Sequence, residues 1–188
     1  MGLINYMNTG RLKKPILWIT TGALFVALDI VSTRLLPTYF LPPGTFLVRV
    51  SPQFLIFSIA GWSLGPIWAM GTAIASDLIG VFLNPTGTGQ FFLGYTLTAG
   101  LSGLVYGLLL YKRPPALWRS LLAAAAHMLL ISLPLTSLWG MTLGFYPDFW
   151  SSFWLALPWR AALVLPYTLL IFTVQKALEK AGINRKFM

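Results

Sequence analysis

Apolar runs of about twenty residues, the length of helix that crosses the hydrocarbon of a bilayer, recur along this chain and limit its fold more than any other feature. Inside hydrocarbon every backbone N–H and C=O must be bonded within the protein, which leaves helices or a closed barrel. These runs lack the strict alternation of barrel strands, so the expectation is an all-α membrane protein. Six runs are read, near 15–36, 47–62, 66–83, 91–110, 121–141 and 153–174, giving a six-transmembrane-helix bundle. With 57% hydrophobic and 9% charged residues, a soluble domain is excluded. Neither a Ser/Gly stretch nor a charged linker separates the runs, so one membrane domain over 1–188 is expected. The first run continues past the length of a signal peptide's apolar region, and is expected to be retained. The second is short and carries Arg49 in its first turn, while Pro134 is expected to kink the fifth.

Six crossings put both termini on one side. Ten of the thirteen Lys and Arg residues fall on that side, so the positive-inside rule makes the termini cytoplasmic. The net charge of +9 is thereby explained by topology and calls for no nucleic-acid partner. The three cations left over are Arg34, Arg49 and Arg160, each at the outer end of an expected helix.

The stretch 75–98 joins two spans through a polar loop. An Asp in an apolar run costs a few kcal/mol on insertion scales, so Asp77 should face a cavity or a partner, as a polar anchor. The loop after it holds Asn84, Thr86, Thr88 and Gln90 with Gly and Pro to bend it, and suits a lid of amides and backbone N–H groups over a ligand. The topology brings the three Arg residues to the outer half together with Asp29, Asp77, Asn84, Gln90 and Asp148. The functional reading is a pocket with guanidinium forks for a carboxylate and aromatic walls, Phe46, Trp150 and Trp154, for a flat ring. The plainer reading is snorkelling Arg side chains and silent ion pairs.

Small residues recur at four-residue spacing, Ala23 with Ala27 in the first run and Gly103 with Gly107 in the fourth. Such pairs admit close helix approach. The second pair reads as internal packing, and the first leaves internal packing and docking on another protein equally open. Cys is absent and His127 is the single histidine, so no thiolate or His-pair metal site is expected, and no motif joins the acids and His127 into a catalytic set. His127 itself reads as an interhelical hydrogen-bonding residue.

Several motifs resemble, in order, those of the substrate-binding S-components of energy-coupling factor (ECF) vitamin transporters, and most closely the folate branch. They are Ala23-Leu-Phe-Val-Ala27 followed by Ser-Thr-Arg34; Val48-Arg49-Val50; Ala60-Gly-Trp-Ser-Leu-Gly65-Pro-Ile-Trp68; Ala75-Ser-Asp77-Leu-Ile-Gly80; Asn84-Pro-Thr-Gly87; Phe92-Leu-Gly-Tyr95-Thr; and Leu157-Pro-Trp-Arg160. The resemblance implies a six-helix subunit in a prokaryotic plasma membrane that captures a vitamin near its outer face. Ala23 and Ala27 would contact a transmembrane T-component, energised by two ATPase subunits. The chain itself would be no enzyme and hold no cofactor or metal. Carried over, Arg34, Arg49, Asn84, Gln90, Tyr95, Thr96 and Arg160 would touch the substrate, with Trp150 beside them, and the loops 37–46 and 84–90 would gate the pocket. The loop at 84–90 departs from the folate pattern, which would place aromatic residues before its Pro and after its first Gly. The aromatic loop before the sixth run also suits relatives for thiamin or a queuosine precursor. A riboflavin-type relative, a non-transport scaffold of the cell envelope and an intramembrane enzyme are the remaining alternatives.

Overall fold

Apolar side chains without alternation leave the backbone little but helix, and the computed structural model of this chain is helical over nearly all the residues it describes, 3–35, 39–41, 48–83 and 92–182. The helices are α1 (Leu3–Leu35), α2 (Gln53–Leu64), α3 (Pro66–Leu83), α4 (Leu93–Leu110), α5 (Leu117–Ala125), α6 (Leu133–Thr142) and α7 (Phe149–Lys180). A π-helical segment, Ala126–Ser132, joins α5 to α6 into one helical run. Among the described residues, five runs are long and apolar enough to cross a membrane: Ile16–Thr33 within α1, α3, α4, Leu117–Thr142 and α7. Successive helices alternate in direction. One end of the bundle, here the upper end, therefore gathers the finishes of α1, α3 and α6 with the starts of α2, α4 and α7.

The expectation of a wholly helical chain needs one correction, at the second apolar run. Val48–Val50 is a strand, β2, paired antiparallel with β1 (Tyr39–Leu41) so that Phe40 faces Arg49. The physical reason is local. Val-Arg-Val alternates β-branched and polar residues at the period of a strand, and Pro52, with φ fixed at −65° and no N–H to give, stands where a helix starts. The helix that follows has twelve residues, about 18 Å of rise, which is short of a bilayer's hydrocarbon. It is also the most enclosed element: Phe54, Phe57, Ala60, Trp62 and Leu64 are all buried.

Pro134 acts differently from a simple kink. A proline inside a helix cannot donate to the carbonyl four residues back, and here the helix widens into π geometry over Ala126–Ser132 immediately before it. Such widening is how membrane helices accommodate an interrupted ladder.

Close approach to α4 organises the rest. A methyl group on Gly103 would sit 2.5 Å from the Ala69 carbonyl oxygen, and one on Gly107 would strike the backbone of Gly65 and Pro66. These glycines therefore serve contacts within the bundle, as the sequence suggested. On the other flank, a Cβ on Gly61 of α2 would lie 2.6 Å from the Gly107 nitrogen. Trp62 completes this seam by donating its indole N–H to the Arg113 carbonyl at 3.0 Å. By contrast, a Cβ on Gly71 would meet nothing within 4 Å. Replacing Gly61 by Ala is expected to destabilise the protein by about 1–3 kcal/mol through overpacking, and Gly71→Ala to be neutral. Thermal unfolding of both variants in detergent checks this; equal melting of the two would contradict the seam.

Candidate functional site

The polar side chains of the upper half need partners, because an unbonded polar group in an apolar bundle costs several kcal/mol in full and about 1–3 kcal/mol by mutational measure. α1 carries Asp29 into the interior, where it is 2% exposed. Gln53, at the first position of α2, donates its side-chain N–H to Asp29 Oδ2 at 3.2 Å. Ser76, Arg49 and Asp77 lie within electrostatic reach of the same carboxylate. One residue along α3, Asp77 accepts the Thr96 hydroxyl proton at 2.6 Å, and Thr96 on α4 is 5% exposed. Acids from α1 and α3 thus meet donors from α2 and α4, and Arg49 of β2 lies within electrostatic reach of Tyr95 as well.

A second polar centre lies across the bundle. Arg160, 3% exposed, donates to the hydroxyl of Ser132 and, at 2.6 Å, to that of Thr136. Thr136 in turn donates to the Ser132 carbonyl at 2.5 Å. The π-helical widening thus ends where it presents two hydroxyls to the guanidinium. Arg49 and Arg160 each make further contacts. Between the two centres stands an aromatic group. Phe92 packs edge-on to Tyr95 at 5.5 Å and to Trp139 at 5.4 Å, and Trp139 donates its indole N–H to the Thr98 hydroxyl at 2.9 Å.

Of the residues expected at the site, Asp77, Thr96, Arg49 and Tyr95 come together at the upper ends of α3, β2 and α4, and Arg160 takes its place beside the π-helical segment. Trp150 is 61% exposed and shares the outer face of α7 with Trp154, their rings 6.4 Å apart. Asn84 and Gln90 with the whole expected gate loop 84–90, Phe46, and the expected gate loop 37–46 apart from Tyr39–Leu41 lie outside the described residues, as does the side chain of Arg34. Ala23 and Ala27 are exposed and line a groove of about 460 Å³ between α1 and α3, with Gly22, Gly71, Thr72 and Ala75. His127 faces the Tyr106 ring at 5.1 Å, and its Nδ1 is buried without a hydrogen-bond partner.

Asp148, grouped above with the outer polar residues, caps α7. Its carboxylate accepts the Ser151 N–H at 2.8 Å and the Ser151 hydroxyl at 2.6 Å, and these bonds hold its pKa below the usual carboxylate value. An acid depressed in the folded state stabilises it above the unfolded value, about pH 4, and that contribution is lost as pH falls through the folded value. Asp148→Ala is therefore expected to melt below the native chain at pH 7, with the gap closing as the pH is lowered past about 4. A gap that stays constant in an acid titration of melting temperature would contradict the capping role.

Sequence reasoning passed over Gln53, Ser76, Ser132, Thr136 and Trp139, and named Asp29 only among the outer polar residues. The cost argument applied to Asp77 holds with more force for Asp29, the more buried of the two.

Comparison with known proteins follows the same lines. A family model described as the ECF transporter, substrate-specific component, matches residues 18–182. The chain is 33% identical to the folate transporter FolT of Leuconostoc mesenteroides subsp. mesenteroides over 133 residues, 70% of this chain and 67% of that protein. It is 30% identical to FolT of Clostridium novyi (strain NT) over 117 residues, 62% of this chain and 64% of that one. Against the crystal structure of FolT bound with folic acid the TM-score is 0.61 at 28% identity, covering 90% of this chain and 93% of the other.

Proposed function

The chain belongs to the family of ECF transporter substrate-specific components, and we propose that the substrate it captures is a folate. The observation that carries this reading is the likeness to FolT bound with folic acid, which runs through nine-tenths of the chain. The chemistry agrees. A folate offers carboxylates to guanidinium groups, a flat ring to the aromatic residues around Phe92, and ring N–H groups to buried acceptors.

In this reading α2 and its hairpin complete a sixth crossing, the molecule is one membrane domain, and the upper end faces outward. Charge placement supports that orientation. At the lower end Lys112 lies over the Tyr111 ring at 5.3 Å, Arg119 over Trp118 at 5.0 Å and Lys176 over Phe172 at 5.3 Å, the arrangement of cations at a cytoplasmic membrane interface. The membrane is the plasma membrane of a prokaryote. Arg34, Arg49, Asn84, Gln90, Tyr95, Thr96, Arg160 and Trp150 form the substrate's surroundings, and Asp77 anchors Thr96. Transport is energised by two ATPase subunits through a T-component, for which the groove at Ala23 and Ala27 is the docking face, because small residues there let another helix approach closely.

Tryptophan fluorescence is a suitable probe, since the chain holds eight Trp. Folic acid is expected to quench it saturably, and thiamin, riboflavin and a queuosine-precursor base to leave it unchanged. Arg49→Ala should weaken folic acid binding about tenfold or more. Quenching by thiamin alone would point to a sibling specificity, and no quenching by any of the four would favour a non-transport scaffold.

Docking and capture separate in a second test. Ala27→Trp, which fills the groove, is expected to leave folic acid affinity unchanged while abolishing folate uptake by cells that hold the whole module. Unimpaired uptake would remove the groove from the coupling path.

A further inference from the structure

We propose that Asp29 recognises the ring of the substrate, accepting N–H bonds from its amino-bearing edge; this rests on the folate reading above. Asp29 is almost wholly enclosed, at 2% exposure. Its Oδ2 receives the Gln53 amide, whereas Oδ1 is buried with no hydrogen-bond partner. The Ser76 hydroxyl can also turn toward this carboxylate, but it has one proton, for which the Ala73 carbonyl oxygen at 3.0 Å competes, so the carboxylate keeps an acceptor lone pair for a ligand donor. A buried carboxylate oxygen left unbonded is costly, and a ligand donor removes that cost on binding. Asp77, the other acid of the upper half, is only partly buried and already holds Thr96.

The chemistry of the ligand fits the vacancy of bonds at Oδ1. The 2-amino-4-oxo pyrimidine edge of a pterin offers two adjacent N–H donors, the pattern that a carboxylate accepts in parallel. Oδ2 keeps a lone pair beyond the one that Gln53 uses. The same carboxylate repels the anionic tail of a folate, so Asp29 also sets direction: the ring lies toward α1 and α3 and the tail toward guanidinium groups. Gln53 is then a positioning residue, holding the carboxylate in one rotamer.

The test compares two ligands on two proteins. Folic acid and its 2-desamino analogue are titrated into the full-length chain and into Asp29→Asn, both in detergent. The native chain is expected to prefer folic acid by about tenfold or more, and Asp29→Asn to lose that preference. A merely structural Asp29 would weaken both ligands alike and leave the preference intact, which would overturn the assignment, as would equal affinity of the native chain for the two. Should Asp29→Asn not accumulate, Gln53→Met takes its place. It frees the Asp29 carboxylate from the rotamer in which it meets the ring and is expected to shrink the preference for folic acid; a preference kept in full would overturn the proposal. If neither ligand binds the native chain, the folate reading itself falls.

Discussion

A polar side chain inside an apolar bundle must find its partner within the protein, and the upper half of this molecule is built on that requirement. Asp29 has Gln53, Asp77 has Thr96, and Arg160 has Ser132 and Thr136. Each bond joins different elements, so together they fix the heights at which α1, α2, α3, α4, α6 and α7 pass one another. Polar groups held this way are also the ones a hydrophilic ligand can use, because their rotamers are set before it arrives.

The lower and middle parts follow a different rule, close approach. Gly61, Gly103 and Gly107 let α2, α3 and α4 touch backbone to backbone, and Phe54 stacks on Tyr167 with ring centroids 3.5 Å apart to bring α7 onto α2. A rigid centre of this kind leaves α1 at the periphery, with Leu24, Leu28 and Val31 exposed and the small-residue groove beside it. In the proposed reading capture falls to the polar upper end and coupling to the apolar flank.

Much of this was legible in the sequence because hydrocarbon leaves so few choices. The long apolar runs could be little but helices, and an Asp or Arg within them had to face inward. The strand at Val48–Val50 was hidden by its place at the head of an apolar run, although Pro52 and the alternation around Arg49 marked it. The π-helical segment was not legible, since apolar periodicity does not separate α from π geometry, and the partners of Arg160 depend on it. The Asp148-x-x-Ser151 spacing was a readable helix-capping signal. The pairing of Asp29 with Gln53 depends on how α1 and α2 cross, which only the assembled bundle decides.

A crystal structure of this chain grown with folic acid would test the account at its centre. The account places the pterin ring within hydrogen-bond distance of Asp29, between α1 and α3, with the glutamate tail directed toward arginine side chains. A ring bound on the α7 face beside Trp150 and Trp154, or a tail turned toward Asp29, would contradict it.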